Sequence, residues 1–301
     1  MTAELDDSAW VRAMPLVFVL IWSTGFIVAK YGLPHAPPLG FLAWRYFFSI
    51  VCFLIWIAVA GAKWPDDPRQ WWHLAVTGAL MHAGYLGGVW VAVELGMGSG
   101  LAALVVGLQP VLTAIWVSRI EGGQVTRMQW LGLLLGFGGL ILVIWRKLMA
   151  GTEVSTFTLA GTVFALLAIT AGTLYQKRFL RATDVRTANA IQLSAALIIT
   201  LPLTFLESEP MVWNVSLMGA MAWAVGVLTL GGSSLLYLLI QRGAATSVAS
   251  LMYLVPPTTA IMAWFLFDEL ITAVTLIGTA LTAIGVALVV RQPKPKPAAS
   301  S

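Results

Sequence analysis

Apolar residues fall into ten long runs in this chain, near positions 13–32, 38–60, 70–94, 99–119, 127–145, 157–179, 186–206, 212–240, 246–267 and 271–290. An α-helix needs roughly 20 apolar residues to cross the hydrocarbon of a bilayer. The runs lack the strict alternation of barrel strands, and only helices and closed barrels satisfy the backbone in lipid. The pattern therefore predicts an all-α integral membrane protein of ten transmembrane helices. The polar stretches between runs are short, and 207–211 and 268–271 hardly leave the headgroups. The Pro-rich end, 292–301, reads as a disordered tail.

The runs also repeat. Shifted by 147 positions, Gly25 falls on Gly172, Lys30 on Lys177, Ala43 on Ala190, Gly84 on Gly231, Gly96 on Gly243, Ala102 on Ala249 and Pro110 on Pro257. After one residue is lost in a loop, Thr126 meets Thr272, Gly132 meets Gly278 and Gly139 meets Gly285. Single matches of Gly and Ala mean little, but constant spacing over more than a hundred residues means a duplication. The copies are 13–146 and 157–291, with five spans each. Five is odd, so the second copy enters the membrane from the opposite side, which makes an inverted repeat.

Composition narrows the class. Hydrophobic residues make up 59% of the chain and charged residues 10%, with mean hydropathy +0.88; a soluble domain has about 25% charged residues. The net charge of +4 comes from basic residues dispersed over loops, which argues against a nucleic-acid partner. Of the 17 basic residues, thirteen fall on one side of the predicted membrane, and only Lys30, Arg146 and Lys147 on the other. Arg45 lies inside the second span. Both termini are thus expected in the cytoplasm, with the protein in a bacterial inner membrane. Cys52 is the sole cysteine, so an intrachain disulfide and a cysteine metal cluster are excluded. No metal and no cofactor is expected. The acidic start does not read as a cleaved signal peptide, and the first helix is expected to stay as an uncleaved anchor.

Several segments carry a family resemblance. These are Leu20-Ile-Trp-Ser-Thr-Gly-Phe-Ile-Val-Ala-Lys30, Trp44-Arg-Tyr-Phe47, Ser99-Gly-Leu-Ala-Ala-Leu, Gln109-Pro-Val-Leu-Thr-Ala and Glu121 before Thr126. The second copy has Ser247-Val-Ala-Ser-Leu-Met-Tyr-Leu-Val-Pro-Pro257 and Asp268-Glu-Leu-Ile-Thr272, then Gly278 and Gly285. Together they resemble the EamA family of the drug/metabolite transporter superfamily. The likeness covers nearly the whole chain outside the tails. The chain departs from the family in Arg119-Ile-Glu-Gly-Gly, where a Gly-Glu-aliphatic turn is usual. Gln192 stands where the first copy has Arg45, so the halves are not functionally identical. The resemblance implies alternating-access transport of small organic solutes, often outward. It does not name the solute.

Polar atoms inside a membrane are costly and point to the protein interior. Gly78, His82, Tyr85 and Val89 share a face by their 4-3-4 spacing; Gly226, Thr229, Ser233 and Tyr237 form the matching stripe. Gln109, Tyr253, Thr173, Trp22 and Phe26 complete the candidates for a midplane cavity. Each has a plainer reading, since small polar residues also pack helices and a buried histidine can simply bond a neighbour. Lys30 and Arg45 lie within two turns of the outer surface, where snorkelling competes with a role in the path. Trp64, Trp71, Trp72 and Trp130 fit interfacial belts. Pro110, Pro256 and Pro257 break backbone hydrogen bonds at mid-helix and are hinge or fixed-kink candidates. Gly132 with Gly136, and Gly278 with Gly285, read as close helix contacts.

Absences count too. Glu94, Glu121, Asp268 and Glu269 all lie at span ends, so a carrier built on a midplane carboxylate is disfavoured, and His82 remains the best proton carrier. Gly96-Met-Gly-Ser-Gly100 superficially resembles a nucleophile or phosphate loop, yet no His–carboxylate constellation or HExxH accompanies it. The expected function is secondary transport, as an exporter of small organic solutes such as amino acids or related metabolites. The alternative is a proton-coupled multidrug or toxicant exporter; an intramembrane enzyme is remote, and no enzyme activity is expected. The expected partners are a small-molecule solute and the bilayer, with the chain a monomer or homodimer.

Overall fold

The computed structural model describes residues 9–120, 126–151, 153–232, 234–235 and 254–290. Among them there is no strand. α1 spans Ala9–Gly32 and α2 Pro38–Ala60. α3, Pro68–Gly78, runs through a π-helical turn at Ala79–Gly84 into α4, Tyr85–Glu94. α5, Ser99–Val106, and α6, Gln109–Ile120, share the fourth expected span. α7 is Arg127–Met149, α8 Thr156–Phe179 and α9 Val185–Leu203, with a 3-10 turn at Thr204–Leu206. α10, Val215–Ala222, continues as a π-helical segment, Trp223–Gly232. α11 is Val255–Phe267 and α12 Ala273–Val290. Among the described residues, six continuous runs are long and apolar enough to cross a membrane. Four shorter apolar helices fall in the expected first, fourth, ninth and tenth spans.

Short loops are workable because side chains satisfy the helix ends, where unpaired N–H groups near lipid would be costly. Thr126 and Gln129 make a reciprocal capping box, as do Ser155 and Thr158. Asn214 accepts from the amide of Leu217 at 2.8 Å, and Asp67 from that of Arg69 at 2.9 Å with Pro68 in the first turn. Asp184 caps α9 and pairs with Arg186; the Arg186 guanidinium holds its carboxyl below the usual range. α2 stops at Gly61, in the left-handed conformation (φ 60°).

Packing relates the two halves. α7 lies on α12, and α2 on α9. α4 meets α8 as α1 meets the segment Trp223–Gly232; α3 meets α9 as α2 meets that same segment. α1 packs on α11 as α5 packs on α8. This set of contacts is closed under exchange of the two sequence repeats. The glycines expected to allow close contact do so: a Cβ on Gly139 would sit 2.4 Å from the Gly278 carbonyl oxygen, and one on Gly285 2.5 Å from that of Gly132. The core centres on Tyr46, Phe41, Phe53 and Trp90, all essentially buried, whereas Phe205, Val215 and Phe265 face outward. Trp64, Trp71, Trp72 and Trp130 are exposed, and Trp71 donates to the Pro65 carbonyl at 2.9 Å near the end of α2.

Three sequence expectations are corrected. Gly78 does not line the cavity with His82, Tyr85 and Val89; it packs on α9, where a Cβ would lie 2.1 Å from the Gln192 carbonyl oxygen. Gly226 is exposed rather than aligned with Thr229. The prolines are not mid-helix. Pro110 is the second residue of α6, beyond a break at Gly107 and Leu108, and Pro256 and Pro257 lie in the first turn of α11. At helix starts a missing N–H removes no helical bond. Pro256 instead packs at the break, its Cγ 2.8 Å from where a Gly107 Cβ would stand.

Candidate functional site

A cavity of about 100 Å³ lies where both halves meet. α1 supplies Trp22, Gly25 and Phe26, and α2 supplies Arg45. The first π turn and α4 bring Met81, His82, Tyr85, Leu86, Val89 and Trp90. Ile169 comes from α8, and Leu228 and Thr229 from the second π segment. The walls are mostly apolar and aromatic, and no Asp or Glu lines them among the described residues. The ring of Trp90 stacks on Phe41 at 4.4 Å, which fixes the wall behind it.

The π segments shape the polar part. They occupy equivalent places in the two repeats, since a shift of 147 carries 79–84 onto 226–231. Within the second, Thr229 Oγ1 donates to the Ala224 carbonyl at 2.8 Å, five residues back. That orientation leaves the oxygen lone pairs free to accept from Arg45 Nε and Nη2, both at 3.2 Å. Within the first, the His82 carbonyl accepts from the Tyr46 hydroxyl at 2.8 Å, and the imidazole hydrogen-bonds to the Gln192 side chain. The two contacts are counterparts: adding 147 turns Arg45 into Gln192 and His82 into Thr229. Each repeat thus joins its second span to the other repeat's third, but one joint holds a guanidinium and the other an amide and an imidazole.

Trp22, Phe26, His82, Tyr85, Thr229 and Arg45 therefore surround one space. Arg45 is 8% exposed and does not snorkel. Gln109 and Thr173 are bonded to one another instead, at 2.8 Å, one turn of α8 from Ile169 and outside the cavity wall. Lys30 is likewise elsewhere: it pairs with Glu269 at 2.8 Å. Ser233, Tyr237 and Tyr253 lie outside the described residues, as does Glu121.

Sequence reasoning missed a carboxylate network on the loop face that holds residues 33–37, 95–98 and 268–272. Asp268 ends α11 with φ 53°, which turns Glu269 inward. Glu269 accepts from Lys30 Nζ, from the amide of Ser99 at 3.0 Å and from that of Gly100 at 3.4 Å. These amides open α5, where a negative charge is favoured. Glu153 takes the amide of Gly98 at 3.1 Å and pairs with Lys147. Glu207 caps α2 through the amides of Leu39 and Gly40, at 2.7 and 2.8 Å. Span-end position identified these acids as loop residues; nothing in their spacing reveals which distant helix each one caps.

A family model described as the EamA-like transporter family matches this chain twice, over residues 10–145 and 156–291. An uncharacterized inner membrane transporter of Escherichia coli (strain K12), YedA, is 26% identical over 81% of this chain and 78% of its own. A probable amino-acid metabolite efflux pump of the same strain is 25% identical over 90% of this chain and 92% of its own. A solved crystal structure, 18% identical, superposes over 92% of this chain and 95% of its own with a TM-score of 0.64, a likeness of fold.

Proposed function

The chain belongs to the EamA-like transporter family, and from that premise we propose that it is a secondary transporter carrying small organic solutes, such as amino acids or related metabolites, outward across the inner membrane. The observation that carries this reading is the cavity shared by both halves, apolar and aromatic with a few convergent polar groups, as solute sites generally are. The name of the efflux-pump relative supports the substrate class and direction.

The mechanism follows from the contacts. Two five-span repeats, inverted relative to one another, rock about the cavity so that it faces each side in turn. The contact set closed under exchange of repeats supports this arrangement. On one face the Lys30–Glu269 pair ties the end of α1 to the turn before α12, and Glu269 and Glu153 hold the start of α5. Opening on that face requires these bonds to part. The π segments bring Thr229 and His82 to the cavity, and slippage between π and α pairing would move both without unwinding a span. Solute entry replaces water against Trp22, Phe26 and Tyr85, and polar groups of the solute reach Arg45 and Thr229.

The test is flux. Vesicles reconstituted with purified protein and preloaded with labelled amino acids should release them faster than protein-free vesicles, with saturation. Tyr85→Ala should change release while leaving the protein monodisperse. No release of any solute across an amino-acid and metabolite panel would refute the reading.

A further inference from the structure

Arg45 is a buried cation with no counter-ion among the described residues. No carboxylate lies within ion-pair distance among the described residues, and its only acceptor is the hydroxyl of Thr229, which binds Nε and Nη2. No acceptor engages Nη1, although the residue is 8% exposed. A guanidinium has five N–H donors in a planar fork that matches a carboxylate, and it stays charged. A charge this deep in a membrane protein is expensive unless it is paired. Arg45 faces the cavity. Among the described residues no partner compensates the charge, and the cavity leaves room for one beside it.

We propose that the cavity is a carboxylate slot: Arg45 selects small solutes that carry a carboxylate on an otherwise apolar body. The inference rests on the transporter reading and narrows its solute class from amino acids and related metabolites to carboxylates without an ammonium group, for which the wall holds no acid among the described residues. The carboxylate takes the unused edge of the guanidinium, with Thr229 holding the other edge. The body lies against Phe26, Leu86 and Val89. The volume, about 100 Å³, is below the ~150 Å³ of an apolar cavity that takes benzene, so a compact solute fits best. An inorganic phosphate fits poorly, because a second charged group to bind it is missing from the wall. Lipophilic amines are rejected, since their charge would meet Arg45 with no acid to offset it. The other repeat puts Gln192 and His82 in the equivalent joint, so the slot has one charged end and a solute enters it in one orientation. Neutralising Arg45 also lowers the cost of carrying a bare charge through the transition between the two facing states, which makes the loaded carrier the mobile one.

Three near-isosteres test this: isovalerate, isovaleramide and isopentylamine, titrated into the purified full chain in nanodiscs and read by saturation-transfer NMR. The carboxylate should bind about ten- to hundredfold more tightly than the amide, with the amine weakest. Arg45→Gln should erase the carboxylate-over-amide preference, and Arg45→Lys, which keeps the charge but loses the fork, should retain part of it. Equal binding of acid and amide by the wild type, a preference for the amine, or no binding of any probe overturns the slot. So does a preference unchanged in Arg45→Gln. If that variant fails to fold, the wild-type series and Arg45→Lys decide. Flux separates the two readings: Arg45-dependent acid binding without flux of any solute sinks transport and leaves the slot, whereas flux of neutral solutes or amines without acid preference sinks the slot alone.

Discussion

Removing Glu269 tests whether the loop-face network is a latch. Its carboxylate is only 10% exposed and takes three donors: Lys30 Nζ at 2.8 Å and the amides of Ser99 and Gly100. The Lys30 side chain is 34% exposed, so solvent screens the pair, which is worth about 1 kcal/mol. The two amides open α5 and lose a charged acceptor, adding roughly 1–2 kcal/mol. The sum, about 2–3 kcal/mol, shifts an open–closed equilibrium by roughly 30- to 150-fold. Glu269→Gln keeps an acceptor and loses the charge, so it should shift the equilibrium only about fivefold. The assay is modification of one cysteine placed in the cavity wall, Ile169→Cys, with Cys52→Ser as background. An impermeant methanethiosulfonate reagent is added from the side of the network. While the open state is rare, the labelling rate scales with its population. Glu269→Ala should raise the rate by the larger factor, and adding Lys30→Met should raise it little further, because both report one interaction. Equal rates in wild type and Glu269→Ala, with both proteins folded, would mean that the network caps helices and does not gate.

Four shorter tests follow. Gly139→Leu forces a side chain into the Gly278 carbonyl and should cost about 1–3 kcal/mol in thermal unfolding, whereas Gly138→Leu, which meets nothing within 4 Å, should be near neutral; equal losses would refute the α7–α12 contact. A reporter active only in the cytoplasm should work when fused after Ser301 and fail within 207–210, and the reverse result inverts the expected orientation. His82→Gln should preserve solute-for-solute exchange but abolish accumulation driven by a pH gradient if His82 couples protons; a full response in the variant puts the proton elsewhere. The depressed carboxyl of Asp184 stabilises the fold above the ordinary value of about 3.9 and ceases to do so as pH falls below it. Asp184→Ala should therefore lower the unfolding free energy at neutral pH, by about 0.5 kcal/mol or less because the half-buried pair is partly screened, and not at lower pH; a loss independent of pH would assign it to geometry alone.

Helix content and the duplication were legible because each rests on local, periodic or translational order. Apolar run length marks a span regardless of neighbours, and a shift of 147 needs no structure. Phe26, His82, Tyr85 and Thr229 were legible as cavity residues for the same reason: a polar or aromatic side chain in a span has few other places to go. The π segments were not. Nothing in Leu80-Met-His-Ala-Gly84 separates i→i+5 from i→i+4 pairing, and the Tyr46 hydroxyl that bonds the His82 carbonyl comes from another helix. Gln109 and Thr173 share the polar character of cavity residues but spend it on one another, a pairing 64 positions apart that no local rule foresees.

Arg45 shows how the duplication itself becomes informative. In a true two-fold the joint of Arg45 with Thr229 would have an Arg–Thr copy, and Gln192 with His82 stands there instead. Both copies keep a polar side-chain contact from the second span across the interface, so the packing requirement is met twice. What changed is charge. Packing alone gives no reason to keep a guanidinium where an amide serves, and burial makes the guanidinium the costlier choice. A near-symmetric scaffold that holds one charge without a carboxylate partner among the described residues, beside its shared cavity, has its asymmetry where the proposed solute would bind.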